Sequence, residues 1–93
     1  MAIRLIIRSK AKAGMGKAYA EAFMPIVKST LSEPGCEQYE LYQSLLSPES
    51  FVLLERWTDQ KSLDAHMVIM RQRDMSKNAA LRDGEATRER YES

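Results

Sequence analysis

The stretch SFVLLERW, residues 50–57, sets large apolar side chains on both sides of a strand. Alternation sends Phe51, Leu53, Glu55 and Trp57 one way and Val52, Leu54 and Arg56 the other. IRLIIRS, residues 3–9, behaves similarly, splitting Ile3, Leu5 and Ile7 from Arg4, Ile6 and Arg8. In EQYELYQ, Tyr39 and Leu41 oppose Glu40 and Tyr42. A half-solvated antiparallel sheet carries one clean polar face, and these strands have none. If helices cover one face, the other leaves an apolar patch that monomers seldom expose. Each Leu, Ile or Phe buried there contributes about 1.5–3 kcal/mol. The pattern therefore predicts a homodimer, two sheets face to face around a shared barrel-like core.

The rest of the chain supplies those helices. A helical stretch runs from about Lys17 to Leu31, with Tyr19, Phe23, Ile26 and Thr30 on one face and Pro25 bending it. SEPGC forces a turn, since Pro34 fixes one dihedral angle and Gly35 allows a positive one. Two strands follow, EQYELYQSLL and SFVLLERW, joined through SPES. Asp59, three residues before Ser62, is an N-cap for the helix QKSLDAHMVIM. That helix continues or restarts through RQRDMSKNAALRDG and closes near Gly84. The tail EATRERYES alternates as a fourth strand, its charge suiting an edge or a partner-paired position. The order β-α-β-β-α-β predicts an α+β, ferredoxin-like antiparallel sheet with helices on one face, in a single domain spanning residues 1–93.

Composition removes several function classes. Fourteen basic and 13 acidic residues, scattered along the chain, direct no strong field at nucleic acid or anionic lipid. Cys36 is the single cysteine, so no intramolecular disulfide forms and no paired-thiol metal motif is present; no metal is expected. No apolar run suits a signal peptide or a membrane span. A soluble, cytoplasmic protein is expected, with no membrane or nucleic-acid partner.

EPGCEQYELYQS followed by FVLLERWTDQKSLDAHM resembles the antibiotic biosynthesis monooxygenase family. The likeness rests on Glu33, Pro34, Gly35, Cys36, Tyr39, Phe51, Leu53, Glu55, Trp57, Leu63 and His66. It implies a dimeric α+β barrel and a small-molecule pocket between sheet and helices. Several members of that family oxidise electron-rich phenols or quinols with neither metal nor flavin. Others degrade haem, process small signalling molecules, or have no known reaction. The haem-degrading branch needs an asparagine on the first strand, and IRLIIRS has none.

On this resemblance Trp57 and His66 are the candidate catalytic residues. The indole would stack on a flat aromatic ligand, and the imidazole, titrating near neutrality, would accept a phenol's proton. Both residues equally suit ordinary core positions. Tyr39, Phe51, Leu53, Glu55, Leu63, Met67 and Met70 are candidate substrate contacts. For Glu55, an inward carboxylate, structural pairing competes with a chemical role; for the methionines, plain helical packing does. Cys36 suits a small strand-start residue better than a nucleophile. The expected activity is a monooxygenase that needs no cofactor and acts with dioxygen on a small phenolic or quinol-type substrate. The alternatives are a non-catalytic, dimeric small-molecule-binding or stress-associated domain, and a non-redox enzyme such as an isomerase.

Overall fold

A computed structural model describes residues 1–92. Strand β1 (Ile3–Lys10) leads into helix α1 (Gly16–Thr30), followed by β2 (Cys36–Gln43) and β3 (Ser50–Trp57). Helix α2 (Gln60–Gln72), the short α3 (Ser76–Leu81) and β4 (Thr87–Glu92) complete the order. The sheet runs β2-β3-β1-β4 and every pairing is antiparallel. This is the expected ferredoxin-like α+β arrangement, with β2 and β4 at the edges.

The register turns alternation into layers. Trp57 lies opposite Ile3 and Cys36; Glu55 opposite Leu5 and Tyr39; Leu53 opposite Ile7 and Leu41. Along β3, burial alternates strictly, with Phe51, Leu53, Glu55 and Trp57 enclosed beneath the helices. Helix α1 brings Tyr19, Phe23, Ile26 and Thr30, all buried, onto this face. Pro25 stands inside α1 on its solvent side, exposed, where the lost backbone donor is tolerated. From α2, Leu63 and His66 are buried, while Met67 and Met70 pack partly buried against the core.

The helix predicted through residues 71–84 restarts. Arg73 is extended and caps α2 through Met70 O, and α3 begins at Ser76. Asp74 explains the restart, because its carboxylate accepts from Ser76 N at 3.0 Å. Helix α3 ends at Leu81, and Gly84 then takes a positive φ of 77° in the connection to β4. β2 is shorter than expected. Leu45 and Leu46 leave the sheet and stand 99% and 97% exposed in the loop before β3. The fourth strand forms along β1 at an edge, with Ser93 outside the described residues.

Opposite the helices the sheet is open. Ile6, Val52 and Leu54 form a half-buried apolar strip, with Tyr42 and Tyr91 half exposed beside it and Arg4, Arg8 and Arg56 around it. Arg8 pairs with Glu89, and Arg56 with Glu37 at 2.8 Å. No helix among the described residues is long and apolar enough to cross a membrane.

Candidate functional site

The Glu33–Pro34–Gly35–Cys36 turn organises the polar end of the core. Gly35 has a φ of 81°, where any side chain is strained, and a Cβ there would collide with Ser62 Oγ. The turn therefore seats directly on the first turn of α2. It is clamped from β3, since Thr58 N donates to Gly35 O at 2.9 Å. Asp59 caps α2 as expected, accepting from Ser62 N at 2.8 Å. Two chain segments some thirty residues apart are thereby locked together, with Glu33 facing His66.

His66 Nδ1 lies 2.9 Å from Glu33 Oε1, with His66 and Glu33 side chains 3% and 10% exposed. The imidazole packs on the Trp57 indole with centroids 4.6 Å apart and a 33° tilt. It meets the Tyr39 ring edge-on at 5.5 Å. Trp57 Nε1 donates to Glu55 Oε1 at 2.9 Å. Trp57, His66, Tyr39 and Glu55 thus form one cluster, together with Glu33 and Thr30. Thr30 Oγ1 and Glu33 Oε2 are buried without a hydrogen-bond partner among the described residues.

Burial dominates the electrostatics. It raises the Glu55 carboxyl, opposed by the Trp57 N–H and by the charges of His66 and Arg88. Burial also raises the Tyr39 phenol, aided by the negative Glu55 and Glu33 and opposed by Arg73. Tyr39 is therefore held as a neutral phenol. Burial pushes the Cys36 thiol up to about 11, with Glu33 and Glu55 adding to the effect. A thiol so poorly ionised is a weak nucleophile, in keeping with the strand-start role expected of it.

The remaining sequence candidates divide by distance. Phe51 is six residues along β3 from Trp57, roughly 20 Å at strand rise, and packs on Tyr19 at 5.0 Å instead. One small ligand cannot touch both Phe51 and Trp57. Leu53 lies between them in the core, and Leu63 is buried beneath α2. The expectation that Trp57 stacks on a flat ligand meets a different arrangement. The indole is 0% exposed and one face is taken by His66, so stacking on a ligand would require the core to open.

Three recesses bear on ligand access. One of about 300 Å³ lies between the Glu33–Pro34 turn and α2 and reaches Glu33 and His66. A second, of about 430 Å³, lies at the far ends of β1, β2 and β3 and includes Phe51. A third, of about 370 Å³, lies over Ile6 and Leu54, mainly on the open sheet face. Sequence reasoning passed over Glu33 and Thr30 as site residues. Glu33 stood in the turn motif, but nothing in local spacing ties it to a histidine 33 positions later.

Comparison with known proteins agrees with this architecture. The family model for antibiotic biosynthesis monooxygenase matches residues 2–69. A conserved protein of Methanosarcina mazei is 28% identical, with a TM-score of 0.83 over 98% of this chain and 91% of its own. A candidate antibiotic biosynthesis monooxygenase from Nitrosomonas europaea is 21% identical, with a TM-score of 0.86 over 99% of this chain and 89% of its own. A variant of SnoaB, a cofactor-independent oxygenase from Streptomyces nogalater, shares the fold at 13% identity, with a TM-score of 0.80 over 99% of this chain and 92% of its own. No curated protein matches the chain. With the family model covering most of its length, the chain belongs to the antibiotic biosynthesis monooxygenase family.

Proposed function

We propose that the protein is a monooxygenase that uses dioxygen, without a bound cofactor, on a small phenolic or quinol-type substrate. Family membership supports the reaction class. The observation that carries the finer reading is the state of the single imidazole. His66 is nearly enclosed by Trp57 and Tyr39, has Nδ1 engaged by Glu33, and makes no Nε2 hydrogen bond among the described residues. An imidazole held at Nδ1 by a carboxylate, with Nε2 unengaged, has one nitrogen placed to accept a phenolic proton.

His66 takes the substrate's O–H proton, and the resulting electron-rich anion passes one electron to dioxygen. The two radicals join at a ring carbon bearing hydrogen. One oxygen atom stays on that carbon as a carbonyl, and the other leaves as water with the hydrogens the substrate gave up. In this reading Trp57 backs the imidazole rather than the ligand, and Tyr39, held neutral, meets that ring edge-on. The residues supply position and proton control, while the substrate supplies the electrons.

Oxygen uptake with a menadiol-like quinol and an anthrone-like phenol, against a protein-free control, tests this reading. Uptake above the control that is lost in His66→Ala supports it, and uptake equal to the control refutes it. The complete enclosure of Trp57 favours a second reading, a binding domain without turnover. A ligand-induced rise in melting temperature without oxygen uptake would select that reading.

We further propose that the protein is a homodimer joined through its open sheet face. Half-buried Ile6, Val52 and Leu54 support this, since no other element among the described residues covers them.

A further inference from the structure

We infer that the recess between the Glu33–Pro34 turn and α2 is where the substrate's O–H reaches His66, with Glu33 as the residue that positions the imidazole. This deepens the monooxygenase reading and rests on it. Glu33, Pro34, Ala65, His66 and Ile69 surround the recess, with the half-buried Ser62 and the exposed Lys61 also on its wall. Its volume, about 300 Å³, suits one or two fused rings. Of the three recesses considered above, only this one includes His66.

The walls also specify the ligand. Ile69, Pro34 and Ala65 make them mainly apolar, which favours a flat neutral ring. The enclosed polar groups beside it are acceptors. Glu33 is nine-tenths buried and its Oε2 has no partner among the described residues. A carboxylate oxygen only accepts, so its contact with His66 requires the hydrogen on Nδ1 and leaves Nε2 as the basic nitrogen. A free neutral imidazole prefers the opposite tautomer, with hydrogen on Nε2. The Glu33 contact thus selects the less common form, in which Nε2 is the nitrogen free to take a proton. A ring bearing one O–H donor and no anionic group fits this set of acceptors. A carboxylate-bearing ring would meet Glu33 with like charge at the enclosed end of the recess, where the exposed Lys61 ammonium is screened by solvent.

His66 is the only histidine, so long-range ¹H–¹⁵N spectra of the whole protein contain one imidazole pattern. Above the imidazole's titration, the wild type should show hydrogen on Nδ1, and Glu33→Ala should revert to the Nε2–H form. Hydrogen on Nε2 in the wild type overturns the positioning role without needing a variant. 1-Naphthol should shift the His66 resonances, whereas 1-naphthoate should not at equal concentration. Ala65 is exposed on α2, so Ala65→Trp fills the recess without disturbing the core. That variant should keep the wild-type melting temperature and lose at least tenfold in naphthol affinity. Unchanged naphthol binding in Ala65→Trp would overturn the assignment of the recess. None of these readouts requires turnover. If all three hold and no oxygen is consumed, the monooxygenase reading fails and the recess stands.

Discussion

Trp57 and Glu55 point the same way from one strand, and the indole Nε1 donates to the Glu55 carboxyl at 2.9 Å inside the core. Two residues apart on β3, they share a face because alternation has a period of two. The carboxyl is one of the few charged groups this small core encloses, and the indole N–H is the only hydrogen bond it receives among the described residues.

Trp57→Phe keeps an aromatic ring and removes that donor. It should destabilise the fold by about 2–3 kcal/mol, combining lost packing with a buried carboxyl left without its partner. In a Glu55→Met background, which offers the indole no oxygen acceptor, the same change should cost less, and urea unfolding of the double-mutant cycle gives the coupling. Equal costs in both backgrounds would mean that the bond contributes nothing.

Glu55 also sets a pH dependence. Its folded pKa lies above the ordinary value of 4.5, chiefly through burial. Between the unfolded and folded values the folded state binds more protons, so this residue's contribution to stability falls as pH rises through that window. Above the folded value it stays low and flat. Glu55→Gln retains an acceptor for the indole and removes the titration. The stability difference between variant and wild type should therefore grow in the variant's favour from pH 4.5 upward, as measured by denaturant unfolding across pH.

Cys36 should be sluggish toward thiol reagents. With its pKa pushed from 9.0 to about 11, the thiolate fraction at pH 8 falls about a hundredfold. Ellman's reagent should therefore react at least that much more slowly with native than with urea-unfolded protein. Comparable rates would contradict the burial that raises the pKa.

Gly35→Ala should destabilise the fold twice over. The backbone term, from a positive φ, is about 1–2 kcal/mol, and the collision with Ser62 adds to it. Gly35→Ala with Ser62→Gly should recover only the steric part. Full recovery in melting temperature would show that the left-handed backbone costs nothing there.

If two sheets pair face to face, light scattering at micromolar concentration should give twice 10.6 kDa. Leu54→Asp puts a charge in the middle of that face and should return the mass to a single chain. A stable wild-type monomer would remove the dimer.

Much of the architecture was legible because strands and helices write their buried faces into local periods. Period two gave the faces of β1, β2 and β3, and the spacing of Tyr19, Phe23, Ile26 and Thr30 gave the inner face of α1. Asp59 and Gly35 announced themselves through capping and turn chemistry, which acts within three or four residues. The break at Arg73 was harder to read. Periodicity alone does not distinguish a continuing helix from one interrupted by an Asp74 side chain bonding its own backbone.

The site divides along the same line. Sequence marked Trp57, His66, Tyr39 and Glu55 as inward-facing, but it could not say that Phe51 on the same strand face lies roughly 20 Å away in the same core. Nor could it say that the indole is sealed, or that Glu33 is the group His66 touches. Those facts depend on strand register and on how the turn at Gly35 seats against Ser62, which bring together side chains 33 positions apart. Local order along the chain determined which faces turn inward. Only packing across the chain decided which of those inward groups meet, because hydrogen bonds and ring contacts act over a few ångströms of space and take no account of sequence distance.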